Sequence, residues 1–267
     1  MLKYAYMSKR TPKLSSLIDK AVFDYNLIED GDKILIGASG GKDSTALLEY
    51  FGNRLKRPNC NFEVAALNIQ SDLGFNTNPK NGDVKASSGA GLDATYFSPS
   101  FPSKVEELIK GWGIPFEKLN VNVLERVKEG QKMSCWWCST QRRTELLNYA
   151  IAKGYNKIAL GHHLDDILET LLMNMLNKGE FSTMIPKLKY DNYPVTIIRP
   201  LCYISEDRLI EHAQENGYAG FVCTCNYQEK SDRRLARKKL ELLCDGDSLK
   251  KMRLFNSLKN VQPQYLP

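Results

Sequence analysis

The apolar positions of the chain fall into short runs separated by stretches with helical spacing. Lys33-Ile-Leu-Ile-Gly37 is an apolar run that ends at a glycine-rich turn, and Ala46, Leu47, Leu48, Tyr50 and Phe51 then mark the buried face of a helix. Phe62–Ile69 is apolar on both faces, which predicts a buried strand. A short helix over Val105–Gly111 and a third strand over Pro115–Val123 follow. After Cys138 a helix runs through Thr144 to Lys153 and stops at Gly154, and Lys157–Leu160 reads as a fourth strand. Ile167, Leu168, Leu171, Leu172, Met175 and Leu176 share one face of the next helix, which ends near Gly179. Val195–Ile198 is the fifth predicted strand. Ser205 then caps a helix with Glu206 and Asp207 in its first turn and Gly217 at its close. Strands alternating with helices predict an α/β fold, a doubly wound and mainly parallel sheet with helices on both faces. In such a sheet the ligand crevice lies at the carboxyl ends of the strands.

Residues 71–103 break this rhythm. Gly, Ser, Asn and Pro dominate without a period, which predicts a long loop or mobile insertion. The chain divides on this reading into a basic helical segment over 1–30, a nucleotide-binding domain over 31–225 with the insertion inside it, and a basic helical segment over 226–267.

Composition narrows the class. With 42% hydrophobic and 25% charged residues among 267, the chain is neither disordered nor collagen-like. No stretch approaches the ~18 apolar residues of a membrane span, and Met1–Lys13 lacks the apolar core of a secretory signal. The expected compartment is the cytoplasm, with no membrane partner. The formal charge of +6 is unevenly spread: residues 1–13 carry +4, residues 228–259 carry +5, and 14–227 carry −3. Two basic ends on a near-neutral body suit a polyanion held at the edge of a folded core, although a solvated terminal helix has the same composition.

Ser39-Gly-Gly-Lys-Asp-Ser44 follows the first strand and opens a helix. Paired glycines let backbone approach a ligand, the helix N-terminus presents free N–H groups, and Ser39, Ser44 and Lys42 add hydroxyls and a charge. This is chemistry for a phosphate group. A Walker A loop needs G-x-x-x-x-G-K-[ST], and here Lys42 is followed by Asp43. A second motif, Gly161-His-His-Leu-Asp-Asp166, ends the fourth strand; its spacing is not that of an H-E-x-x-H zinc hydrolase. Either Asp165 or Asp166 could simply cap the helix that follows.

The seven cysteines include Cys135-Trp-Trp-Cys138 and Cys223-Thr-Cys225. In a reducing compartment such pairs point to metal or redox chemistry, while Cys60, Cys202 and Cys244 stand alone and read as small buried hydrophobes. The residues leave three arrangements open: a four-thiol zinc site, a redox pair at Cys135 and Cys138, or a three-cysteine iron–sulfur cluster with one iron free for a small ligand.

The hexapeptide 39–44 resembles the pyrophosphate-binding loop of the PP-loop ATP pyrophosphatase superfamily, whose members adenylate a carbonyl oxygen. The resemblance implies that Ser39, Gly40, Gly41, Lys42, Asp43 and Ser44 hold the leaving pyrophosphate. It further implies that Asp43 and Asp166 bind Mg²⁺, that Asn68 and Ile69 border the adenosine, and that Gly161 and His162 lie beside the nucleotide. Four features in order, namely S-G-G-K-D-S, C-x-x-C followed by Arg142-Arg143, G-H-H-x-D-D, and a late cysteine before a basic helix, resemble the tRNA 2-thiocytidine synthetase family. Tyr25–Asp32 and Asn260–Leu266 are similar to that family's lead-in and C-terminal signature. The implied activity is ATP-dependent replacement of the 2-oxygen of an anticodon-loop cytidine by sulfur, with Mg²⁺ and a [4Fe–4S] cluster held by Cys135, Cys138 and Cys225. The family pattern P-C-x-x-C stands here as Phe221-Val-Cys-Thr-Cys225; alignment through Gln228 selects Cys225, with Cys223 as the alternative. Catalytic roles fall on Asp43, Lys42 and the three cysteines. The implied partners are tRNA on the basic termini, a sulfur donor (cysteine desulfurase or sulfide), and a second copy of the chain in a homodimer. Arg233, Arg234, Arg237 and Lys238 are then expected to serve tRNA and not ATP. Two rivals remain: a 2-thiouridine synthetase, which typically has zinc-binding C-x-x-C pairs at both ends whereas residues 1–59 here contain no cysteine, and a non-catalytic RNA-binding protein with a four-cysteine zinc site.

Overall fold

The computed structural model describes residues 12–57, 61–71, 101–127, 135–218 and 232–265. Its centre is β1 (Lys33–Gly37), and the side chains of that strand divide by the two-residue period of a strand. Ile34 and Ile36 enter one core and Leu35 the other. Parallel to β1 on one side run β2 (Glu63–Ser71) and, beyond it, β3 (Phe116–Val121); on the other lie β4 (Lys157–Ala159) and β6 (Thr196–Ile198). The edge strand β5 (Lys187–Lys189) pairs antiparallel with β6, giving the order β3-β2-β1-β4-β6-β5. The predicted fold class holds. What the sequence reading missed is β5, and with it the count: Thr196–Ile198 is the sixth strand.

The first core lies under α1 (Leu14–Asp24), α2 (Lys42–Leu55), α3 (Ser103–Gly111), α5 (Leu164–Lys178) and α6 (Glu206–Glu215). It also takes in Leu240 and Cys244 of α7 (Asp232–Cys244) and Phe255 of α8 (Ser248–Ser257). Both terminal segments therefore share one hydrophobic core with the nucleotide-binding region. The second core lies under α4 (Cys135–Ala152), through Leu146, Leu147 and Ala150. Helices on both faces of a parallel sheet follow from the right-handed crossovers between strands.

Three boundaries differ from expectation. Helix α4 starts at Cys135, so the C-W-W-C is its first turn and not a loop before it. The basic C-terminal stretch is two helices, broken where Asp245 (φ 50°) and Gly246 (φ 68°) adopt left-handed backbone. Ser205 stands at the N-terminus of α6, yet its buried hydroxyl makes no hydrogen bond. The first amide of α6 is capped from another helix: Asp165 Oδ2 accepts from Glu206 N at 2.8 Å. Residues 72–100 of the expected insertion lie outside the described residues. Among the described residues no helix is long and apolar enough to cross a membrane.

Candidate active site

The chain leaves β1 and forms β2 and β3 on one side of it, then returns to build β4 on the other. Between the carboxyl ends of β1 and β4 the strand order reverses, and both motif loops open there. In the first loop Gly40 has φ +82°, a left-handed conformation suited to glycine, and a Cβ there would lie 2.9 Å from Pro102 Cδ. Gly41 opens α2 with no side-chain cap, which leaves the first-turn N–H groups without intrahelical partners. The two serine hydroxyls lie 3.0 Å apart; Ser39 N donates to Ser44 Oγ at 3.2 Å and Gly41 N to Ser39 Oγ at 3.3 Å. Ser44 and Thr45 hydroxyls both donate to Gly41 O at 3.0 Å, closing the turn. From β2, buried Asn68 donates to Ala38 O at 2.6 Å and fixes the loop's entry. Ile69 points to the opposite face of the sheet, into the second core.

The second loop presses against the first. A Cβ on Gly161 would sit 3.0 Å from Ser44 N and 3.1 Å from the Asp43 carbonyl carbon, so backbone passes directly over backbone. Asp166 Oδ2 accepts from His163 N at 3.1 Å and closes the first turn of α5. Asp165 serves two other helices: besides capping α6 it holds the buried Lys251 of α8 through Oδ1 at 2.7 Å. Asp165 thus has both carboxylate oxygens engaged in holding α6 and α8.

Burial pushes the Asp43 carboxyl up, and the neighbouring Asp166 adds to this, while His163 and Lys42 oppose it. Burial would raise Asp166 as well, but the imidazole of His163, Arg233 and the His163 N–H hold it below the ordinary carboxylate range. Burial would lower the Lys42 ammonium, yet Asp43 and Glu206 outweigh it and raise it above its usual value. The Lys42 Nζ stands 3.2 Å from Asp43 Oδ1 and 3.1 Å from Glu206 Oε1. Burial drives His162 down to about 4, helped by the charges of Arg199, Arg233 and Arg143. The ring is therefore neutral at pH 7. Its Nδ1 accepts from Arg199 Nε at 3.3 Å, which places the ring proton on Nε2.

Mg²⁺ takes one or two carboxylates and completes its octahedron with phosphate oxygens and water. The residues fit that ion: Asp43 Oδ1 is buried, with the Lys42 ammonium beside it but no hydrogen bond, and the charges of Asp43 and Asp166 act on each other. Among the described residues no three metal-binding side chains form a cage of their own.

A PP-loop domain model matches residues 102–242 of the chain. The tRNA-cytidine(32) 2-sulfurtransferase of Syntrophotalea carbinolica is 33% identical over 257 residues, covering 95% of this chain and 91% of its own. That of Alkalilimnicola ehrlichii is 34% identical over 259 residues, covering 95% and 74%. The chain belongs to the tRNA-cytidine(32) 2-sulfurtransferase family. Among solved structures the fold is similar to the U34-tRNA thiolase NcsA of Methanococcus maripaludis, with a TM-score of 0.64 at 20% identity over 93% of this chain and 80% of that one. It is also similar to the NMN synthetase of Francisella tularensis, with a TM-score of 0.52 at 14% identity over 92% and 94%.

In this 2-sulfurtransferase family member, Cys135 and Cys138 fall at the start of α4, three residues apart in the sequence. Cys223 and Cys225 lie outside the described residues, as does Cys60. Cys202 and Cys244 are buried and free, as read from sequence, and burial pushes the Cys202 thiol up to about 12.

The four basic residues expected to serve tRNA do not act together. Arg233 Nη1 donates to Asp166 Oδ1 at 3.2 Å, and Arg237 Nε donates to Glu169 Oε1 at 2.6 Å with its Nη1 3.2 Å from Glu206 Oε2. These two arginines are paired with the acids beside the phosphate loop, which sets them apart from the other two. Arg234 and Lys238 are exposed. Glu169, Glu206 and the inner arginines were not anticipated. The signal for them was an acid at Glu169 inside the apolar pattern of α5, where it is 0% exposed.

Proposed function

We propose that this protein is an ATP-dependent, iron–sulfur-dependent tRNA sulfurtransferase that converts an anticodon-loop cytidine to 2-thiocytidine. The observation that carries the reading is the meeting of the phosphate loop with the Asp43–Asp166 pair at the β1/β4 switch, in a chain whose relatives bear that activity in their names. The likeness to a thiolase that holds a [4Fe–4S] cluster accords with it.

The cytosine must leave its stack to react. Its O2 attacks the α-phosphorus of ATP, pyrophosphate leaves, and a sulfur nucleophile then replaces AMP at C2. Lys42, the open N–H groups of α2 and the hydroxyls of Ser39 and Ser44 hold the leaving pyrophosphate. Asn68 keeps the loop in place through Ala38. Asp43 and Asp166 hold Mg²⁺, which offsets negative charge on the phosphate oxygens. His162, neutral and carrying its proton on Nε2, is a donor at the edge of the site. Cys135, Cys138 and Cys225 would hold the cluster, which would supply iron to carry the sulfur. The exposed cations Arg234 and Lys238, with the N-terminal basic residues, receive tRNA phosphates. A cysteine desulfurase or free sulfide donates the sulfur, and the protein works in the cytoplasm as a homodimer.

Nucleoside analysis of tRNA tests the reading. A deletion strain complemented with the wild-type chain regains 2-thiocytidine, whereas Asp43→Ala or Cys135→Ala folds but restores none. Normal 2-thiocytidine with either variant refutes the scheme. Loss of a thiouridine in the deletion strain moves the activity to the 2-thiouridine synthetases. Anaerobically purified protein is brown with broad absorption near about 400 nm; a colourless, zinc-loaded protein refutes the cluster.

A further inference from the structure

Asp166 has two carboxylate oxygens and both are engaged. Oδ2 accepts the His163 amide and closes the first turn of α5. Oδ1, the oxygen left for a metal, is held by Arg233 Nη1 at 3.2 Å. Mg²⁺ binds carboxylate oxygen at about 2.0–2.1 Å, so an ion on Oδ1 would set two further positive charges against the guanidinium and repel it. Arg233 has somewhere else to go. Its Nε lies 3.8 Å from Glu169 Oε2, a fully buried oxygen that makes no hydrogen bond, and its own side chain is 43% exposed. Four residues along α7, Arg237 joins Glu169 to Glu206, and Glu206 holds Lys42 of the phosphate loop.

We propose that Arg233 is the placeholder cation of the metal site: it neutralises Asp166 while nucleotide is absent, and Mg²⁺·ATP displaces it toward Glu169. Helix α7 is then the element that registers loading of the site. Arg233 is a positioning residue acting through Asp166, and nothing in its role requires it to touch ATP. The inference rests on reading Asp43 and Asp166 as the Mg²⁺ ligands.

The test uses full-length protein, a non-hydrolysable ATP analogue with a methylene between the α- and β-phosphates, and no tRNA. Calorimetry measures the analogue without metal, and then the Mg²⁺ concentration that half-saturates the protein–analogue mixture. In Arg233→Gln the metal-free analogue binds more weakly, because Asp166 and Glu169 are left uncompensated, while the half-saturating Mg²⁺ falls. Each shift is about three- to tenfold, the range for a partly exposed ion pair coupled to ligand binding. The signs are opposed, and damage to the fold would weaken both. Arg233→Lys returns both values toward wild type, and Lys239→Gln at an exposed position of the same helix moves neither. In the wild-type protein, amide exchange across Asp232–Cys244 quickens when Mg²⁺ is added to the analogue complex, a readout that survives a poorly folded variant. An unchanged or higher half-saturating Mg²⁺ in Arg233→Gln, or unchanged α7 exchange in wild type, overturns the inference alone. A wild-type protein that binds neither analogue nor Mg²⁺ overturns the functional reading as well.

Discussion

Lys251 lies in α8, far along the chain from the phosphate loop, yet its removal should loosen the nucleotide site. The residue is 1% exposed, and its ammonium lies 2.7 Å from Asp165 Oδ1 and 2.6 Å from Glu241 Oε1. Glu241 is about half exposed and its share is screened by water; Asp165 is 3% exposed and is not. At 2.7 Å and an effective dielectric of about 20, the attraction to Asp165 is about 6 kcal/mol. Relief of the lysine's own desolvation offsets part of this in Lys251→Met, a change that keeps the volume. The net loss expected for stranding a buried charge is about 3–5 kcal/mol. For a chain of this size that lowers the melting temperature by about 6–20 °C. Scanning calorimetry or denaturant titration reads the loss. Asp165→Asn in the same background removes the stranded charge and keeps an acceptor for the Glu206 amide, so the double variant recovers part of the stability. A Lys251→Met protein within about 1 kcal/mol of wild type, or a double variant no better than the single, would show that the pair does not lock α8 to α5 in this way.

Gly161→Ala forces a methyl group against the backbone of Asp43 and Ser44 at 3.0–3.1 Å and should weaken ATP binding about tenfold or more, within the usual cost of overpacking; unchanged affinity would mean the two loops have room to part. His162 sits at about 4, below its unfolded value of about 6.5, so between those values the unfolded chain binds a proton that the folded chain refuses. Its contribution to stability is full above about 6.5 and is lost as pH falls toward 4. The drop in melting temperature from pH 7 to pH 5 should be smaller in His162→Gln than in wild type, and equal drops count against the assignment. Arg234→Gln with Lys238→Gln should weaken tRNA binding and flatten its salt dependence by roughly one unit for each phosphate no longer neutralised, while ATP affinity stays put; a parallel fall in ATP affinity would place these residues in the nucleotide site.

Much of the sheet was legible because its inner strands are apolar on both faces: Lys33–Gly37 keeps the bounds read from sequence, and Glu63–Ser71 is shifted by a residue or two. Lys187–Lys189 was not legible. It has one apolar residue between two lysines, and only its pairing with β6 makes it a strand. The phosphate loop could be read because its chemistry sits in six consecutive residues. The acids and arginines around it could not, because Glu169 and Arg237 are 68 residues apart and meet only where α7 crosses α5. Ser205 shows the converse error. A serine before Glu206-Asp207 satisfies every local rule for a cap, but local rules cannot see a carboxylate arriving from another helix.

That long-range cap has a bearing on when the protein becomes active. Asp165 and Lys251 are 86 residues apart in the chain, so the pair forms only after most of the fold is in place. Until α8 docks, Asp165 is a buried acid without its cation, and α6, which presents Glu206 to Lys42, is held by an uncompensated charge. The contact of Glu206 with Lys42 is thus tied to the seating of α8, so the phosphate loop gains its last neighbour only when the C-terminal helix docks.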